Sequence, residues 1–158
     1  MKVVFFSESG IIGKVDRTFP NARNDIAWSI MMDADWCPYG KTPTEKYDLG
    51  VVTIPKTKPN LDVDWFKQHC DKIAIMQEGP HWYFQDYSVE QQFQFVENLR
   101  KANWVWCHNE SDVSYYKGLG CKDVRVMRTL MLPEGLNCQL TTSQKKGILL
   151  GGNFTSWY

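Results

Sequence analysis

The feature that most constrains this chain is an alternation, running from Lys2 to Met127, between short apolar runs of strand character and segments of helical periodicity. Lys2 to Ser7 is a β-branched and aromatic run that ends in the turn-rich Ser7-Glu8-Ser9-Gly10-Ile11-Ile12-Gly13. From Ala22 to about Ala34, Ile26 and Ile30, with Ala27, Met31 and Ala34, recur at three- and four-residue spacing after the start signal Pro20-Asn21. Leu49 to Ile54 is a second strand, closed by Pro55 and Pro59, and Asp62 or Asp64 caps a short helix through Cys70. Lys72 to Gln77 is a third strand. Ser88 to Lys101 opens as a capping box and carries Phe93, Val96 and Leu99 or Phe95 at helical spacing. Asn103 to Cys107, Ser111 to Leu119 and Asp123 to Met127 read as strand, helix and strand, the helix stopped by Gly118 and Gly120.

Such alternation implies βαβ units: an α/β fold with a Rossmann-like, mostly parallel sheet and helices on both faces. Ligands of such sheets sit at the carboxyl ends of strands, near a topological switch point. Three loops therefore attract interest: Ser7 to Gly13, Glu78 to Tyr83 and His108 to Asp112.

Length and charge narrow the function. The 158 residues, 43% of them hydrophobic, suffice for one buried core. With 18 basic and 18 acidic side chains, the chain lacks the charge imbalance that draws nucleic acid or anionic membrane, so no nucleic-acid partner is expected. No apolar stretch reaches the roughly 18 residues of a membrane helix, and Met1 to Phe6 is too short for a signal-peptide core. The five cysteines are odd in number and widely spaced, without a CxxC pair, which fits a reducing cytoplasm rather than a disulfide framework or zinc ribbon.

A composition change marks the end of the first unit. Pro133-Glu134-Gly135 and the polar stretch Thr141 to Lys146 have linker character, and Gly147-Ile148-Leu149-Leu150-Gly151-Gly152-Asn153 reads as a new strand entering a glycine turn. The expected organisation is a domain over residues 1–135, a linker over 136–146 and the start of a second domain over 147–158.

This organisation resembles the GT-B glycosyltransferases of the group-1 type, including those of bacteriophage and bacterial polysaccharide clusters. The resemblance is carried by Phe6-Ser7-Glu8-Ser9-Gly10, by Met76-Gln77-Glu78-Gly79-Pro80-His81-Trp82, and by His108-Asn109-Glu110-Ser111-Asp112. It implies an N-terminal, acceptor-side domain facing a donor-side domain across a cleft. Gly151, Gly152 and Asn153 then fall where family members bring backbone N–H groups to the donor diphosphate. The family's remaining donor-gripping elements are absent from this sequence, so transfer by these residues alone is not expected. The implied donor is a nucleotide sugar acting as substrate, with no cofactor or metal, and a homodimer is left open.

Within that frame, transfer needs a base for the acceptor hydroxyl, and His81 and Glu78 share one loop after a strand; a polar surface loop is the plain alternative. Gly10 and Gly13 let the first loop approach a substrate, or simply make a tight turn; their spacing is not GxGxxG. Arg17 and Arg23 belong to Asp16-Arg17-Thr18-Phe19-Pro20-Asn21-Ala22-Arg23-Asn24-Asp25, a stretch dense in hydroxyl- and phosphate-binding side chains that suits an acceptor, and both are equally readable as solvated charges. Trp82 and Tyr83, with Trp36, Tyr39, Phe84 and Tyr87, fall in or near loops where rings can stack on sugar C–H faces, whereas Trp28, Trp65, Trp104 and Trp106 belong to the core. Cys107-His108 beside Glu110 and Asp112 lacks a second ligand pair, and helix capping by Ser111 or Asp112 explains the cluster without a metal. The competing reading is a stand-alone flavodoxin-like or nucleotide-binding module without catalysis.

Overall fold

In a computed structural model of the chain, which describes residues 1–8, 10–17, 23–55, 61–77, 86–130 and 132, the opening apolar run forms β1 (Val3–Ser7), buried along its whole length. It is followed by β2 (Gly13–Lys14), α1 (Asn24–Met31), β3 (Asp35–Pro38), β4 (Tyr47–Thr53), α2 (Val63–His69) and β5 (Cys70–Met76). The remainder is α3 (Val89–Lys101), β6 (Trp104–Cys107), α4 (Glu110–Gly118) and β7 (Val124–Val126). The seven strands form one sheet in the order β2-β3-β1-β4-β5-β6-β7, parallel throughout except for the short antiparallel edge β2. This is the α/β, Rossmann-like sheet that the alternating pattern implies.

Side-chain alternation along β1 divides the core in two. Val4 and Phe6 face the layer built from Val63 and Phe66 of α2, Phe95 and Leu99 of α3 and Tyr116 of α4. Val3 and Phe5 face Ile26 of α1, together with Trp36, Leu49, Val51, Ala74 and Met76. Helices therefore cover both faces, and each fully buried Phe, Leu or Val contributes about 1.5–3 kcal/mol relative to exposure. Gly50 in β4 belongs to this packing, since a Cβ there would sit 2.7 Å from Cys70 Sγ and 3.2 Å from Phe6 Cε2.

The local signals acted as expected at several boundaries. Ser88 caps α3 with a complete capping box, its Oγ accepting from Gln91 N at 3.3 Å and its N–H donating to Gln91 Oε1 at 2.9 Å. Asp62 rather than Asp64 caps α2. Other boundaries differ. α1 stops at Met31 because Asp33 takes a left-handed φ of 48°, so Ala34 leaves the helix and enters the core beside β3. β3, which sequence patterning missed, has only Trp36 and Cys37 as apolar residues and gains strand form by pairing with β1 over four register positions. Phe93 does not belong to the buried stripe of α3: it is 69% exposed while Phe95 and Leu99 are buried. Ser111 and Asp112 lie inside the first turn of α4, whose N-cap is Asn109 without a side-chain cap bond.

Connectivity creates a switch point. β1 leads outward into α1 on one face, whereas its neighbour β4 precedes α2 on the other. At their carboxyl ends the two connections diverge, which is where such sheets leave room for a ligand.

Candidate ligand site at the carboxyl edge of the sheet

Three residues line the α1 side of this edge. Phe6 pairs with Val52, so the next residues, Ser7 and Thr53, stand side by side, and Thr53 pairs with Met76. The first turn of α1 is fastened to both ends of this row: Asp25 to Ser7, and Asn24 to Met76 through an Nδ2 to Sδ contact of 3.7 Å.

Asp25 is fully buried and closely surrounded. Its Oδ2 accepts from the Ser7 hydroxyl at 3.0 Å and from Arg23 Nη2 at 2.6 Å; its Oδ1 accepts from Arg23 Nε at 3.0 Å and from Ile26 N–H at 2.9 Å. Arg23 Nη2 also donates to Ser7 Oγ at 2.8 Å. The negative charge at a helix N-terminus and the matching guanidinium make a neutral unit, so the edge carries no uncompensated cation from this pair. Tyr39, just after β3, leans on the same region: burial, with the charges of Asp25 and Glu8, holds its phenol neutral well above the ordinary tyrosine range, Arg23 opposing. Its hydroxyl reaches the carbonyl oxygens of Phe6 and Thr53, and a phenol so held is not a base at neutral pH.

A second cluster fastens the chain beyond β7. His108 Nδ1 lies 2.8 Å from the Met127 carbonyl oxygen, which requires a proton on that nitrogen. Nε2 is then an acceptor for Asn24 Nδ2 at 3.2 Å, and Asn24 Oδ1 accepts from Leu130 N–H at 2.8 Å. Trp28 Nε1 adds a bond to the Arg128 carbonyl oxygen at 3.1 Å. His108 and Asn24 thus tie the segment 127–130 to α1.

Two polar atoms stand out by lacking partners. Among the described residues, the buried side-chain atoms Thr53 Oγ1 and Gln77 Oε1 have no hydrogen-bond partner. Thr53 ends β4 and Gln77 follows the last residue of β5, so both belong to the carboxyl edge. Thr53 is not singled out in the sequence, because Thr at a strand end carries no motif, and Gln77 enters only as a member of the stretch Met76 to Trp82 that carries the family resemblance.

The sequence candidates distribute unevenly over this geometry. Arg23 is at the edge, while Arg17 is exposed and touches Met31 Sδ, at the far end of α1, about 12 Å away along the helix axis. Gly10 and Gly13 take φ values of 122° and 113°, and the close approach of Gly10 is to Trp36: a Cβ there would meet Trp36 Nε1. Trp36, expected in a loop, is 3% exposed inside β3 and offers no ring face to a sugar. Tyr87 packs on Phe95. Of the tryptophans assigned to the core, Trp106 is buried, and Trp28, Trp65 and Trp104 are partly buried against it. His81, Glu78, Trp82, Tyr83, Phe84, Gly151, Gly152 and Asn153 lie outside the described residues, as do the linker 136–146 and residues 147–158.

Among the described residues no group of three or more His, Cys, Asp or Glu could hold a metal ion, and no helix is long and apolar enough to cross a membrane. No family model, no curated protein and no solved structure matches the chain.

Proposed function

We propose that the chain is the acceptor-side domain of a two-domain glycosyltransferase, seating a carbohydrate or other hydroxyl acceptor at the carboxyl edge beside β1 and β4. The observation that supports it most is the switch point itself, with the Ser7, Arg23 and Asp25 cluster beneath it. In transfer, the acceptor oxygen gives its proton to a base and bonds to the anomeric carbon of the sugar. The bond from that carbon to the diphosphate breaks, and the nucleoside diphosphate leaves with the electron pair. His81 and Glu78 are the residues we assign to the base. The donor is a nucleotide sugar held by the opposing domain, expected to begin near Gly147. Cytoplasmic residence belongs to the same reading and is supported by the buried free thiols of Cys37, Cys70, Cys107 and Cys121.

A second reading has a specific observation behind it. Counted without the short edge strands β2 and β7, the strand order β3-β1-β4-β5-β6 is the 2-1-3-4-5 order of flavodoxin-like domains, which favours a nucleotide or flavin module without catalysis. Saturation-transfer NMR of the chain, with a panel of methyl glycosides and disaccharides on one side and free nucleotides and FMN on the other, separates the two. Saccharide binding that perturbs the amides of Glu8, Asn24 and Gln77 is expected; binding of FMN or a nucleotide without any saccharide overturns the transferase reading.

A further inference from the structure

We infer that Thr53 and Gln77 are ligand-contacting residues, and that what they contact is a neutral, hydroxyl-bearing molecule rather than an anion. The inference rests on the acceptor-side reading above and adds its contact residues and the chemistry they select.

Buried polar side-chain atoms are almost always hydrogen-bonded, because an unmet one costs about 1–3 kcal/mol. Here the pattern holds even for the most demanding group, since all four contacts to the buried Asp25 carboxylate are made. Thr53 Oγ1 and Gln77 Oε1 depart from it among the described residues. Their positions are not scattered: Thr53 ends β4 and Gln77 directly follows β5, its neighbour, Thr53 on the face of Val51 and Gln77 on the face of Ile75. Gln77 is 8% exposed and its backbone is fixed by an N–H bond to the Trp106 carbonyl oxygen at 2.9 Å, so its amide is held at this edge. Thr53 is the middle member of the row whose outer members, Ser7 and Met76, are both tied to the first turn of α1. A small polar group seated there would also lie near the positive end of that eight-residue helix.

The missing partners define the ligand. An amide oxygen only accepts, so Gln77 Oε1 needs a donor; phosphate dianions and carboxylates have none to give. A threonine hydroxyl both donates and accepts, which suits an alcohol. The guanidinium at this edge, Arg23, is committed to the buried Asp25, so charge does not favour an anion either. A ligand with several hydroxyl groups, lying across the carboxyl edge from one face of the sheet to the other, answers both orphan atoms.

The test uses the whole chain with the variants Thr53→Val, Thr53→Ser and Gln77→Met, with methyl glycosides as probes and inorganic phosphate as the competing chemistry. Without ligand, Thr53→Val is expected to unfold at the same temperature as wild type or higher, since it removes an unmet hydroxyl at nearly constant shape. Saccharide affinity is expected to fall about five- to tenfold in Thr53→Val and in Gln77→Met and to persist in Thr53→Ser. A lower unfolding temperature for Thr53→Val means that the hydroxyl has a structural partner, such as a buried water, and overturns the inference. Unchanged affinity in either Thr53→Val or Gln77→Met overturns it while leaving the acceptor-side reading standing. Absence of saccharide binding by wild type, or tighter binding of phosphate, removes both.

Discussion

The Ser7 hydroxyl donates to the fully buried Asp25 carboxylate at 3.0 Å, across the junction between the first strand and the first helix. Arg23 closes the arrangement by bonding to both residues. Removing one partner of a buried ion pair leaves the other charge unmet. Arg23→Ala is therefore expected to destabilise the chain by about 2–3 kcal/mol, below the range for fully buried pairs because the arginine side chain is 31% exposed and Ser7 and Ile26 still serve the carboxylate. Ser7→Ala, which removes two bonds but leaves Arg23 and Asp25 paired with each other, is expected to cost about 1–2 kcal/mol. Urea unfolding of the two variants measures both, and an Arg23→Ala chain as stable as wild type contradicts the assignment.

The two glycines of the first loop separate backbone strain from steric collision. Gly10 and Gly13 share a positive φ, but a Cβ at Gly10 would lie 2.8 Å from Trp36 Cδ1, whereas one at Gly13 meets nothing within 4 Å. Gly13→Ala is expected to cost about 1–2 kcal/mol from the backbone alone, and Gly10→Ala at least about 1 kcal/mol more. Equal losses in thermal unfolding would show that Trp36 yields without cost.

Asn24 should control the segment beyond β7. Its Oδ1 is the acceptor for Leu130 N–H, and its Nδ2 meets His108 Nε2. In Asn24→Ala the Leu130 amide is expected to exchange with solvent at least about tenfold faster, the counterpart of losing a bond worth about 1.4 kcal/mol, while the amides of β5 keep their protection. Exchange followed by NMR reports it directly.

The thiols should be unreactive in the folded chain. Burial pushes Cys70 up to about 12, with Asp71 and Cys37 adding to the effect and Lys46 opposing it, and pushes Cys121 up to about 11 against Arg100. Burial raises Cys37 and Cys107 as well. The thiolate is the reactive form, so a Cys138→Ser chain at pH 7.5 is expected to react with a disulfide reagent only after denaturant is added. Rapid reaction of a thiol in the native protein would contradict this packing.

Alkaline solution should weaken the fold. Burial, reinforced by Asp35, raises Tyr47 to about 12, and burial also raises Tyr39, Tyr115 and Tyr116. Each phenol keeps its proton longer in the folded chain than in the unfolded one, so the unfolded state binds fewer protons above about pH 10 and stability falls as pH rises. The contribution is intact below that pH and is lost progressively up to the folded values. The midpoint of urea unfolding is expected to drop between about pH 9 and pH 11, and less so in Tyr47→Phe.

Some of this was legible beforehand for identifiable reasons. Val3 to Ser7, the Ser88 capping box and the Asp62 cap are local signals in which neighbouring residues satisfy one another, and each appears where patterning put it. β3 was not legible, since Asp35-Trp36-Cys37-Pro38 becomes a strand only through its ladder with β1. Phe93 was misplaced because both Phe93 and Phe95 fit a helical period, and packing against Leu99 and the sheet selects Phe95. The site was half visible: Arg23, Asn24 and Asp25 stood in the polar stretch that suits an acceptor and Gln77 in a stretch that carries the family resemblance, whereas Thr53 carried no signal.

What the sequence by itself determined is the alternation of strands and helices, hence an α/β class with a mostly parallel sheet, because hydrophobic period is a property of residues close along the chain. Strand order, and with it the switch point between β1 and β4, was decided only in three dimensions. So was the meeting of Ser7 with Asp25, of Asn24 with His108, and of Thr53 with Met76. These pairs are remote along the chain, and no local preference encodes which partner a buried polar group will find; the close packing of α1 against the sheet does.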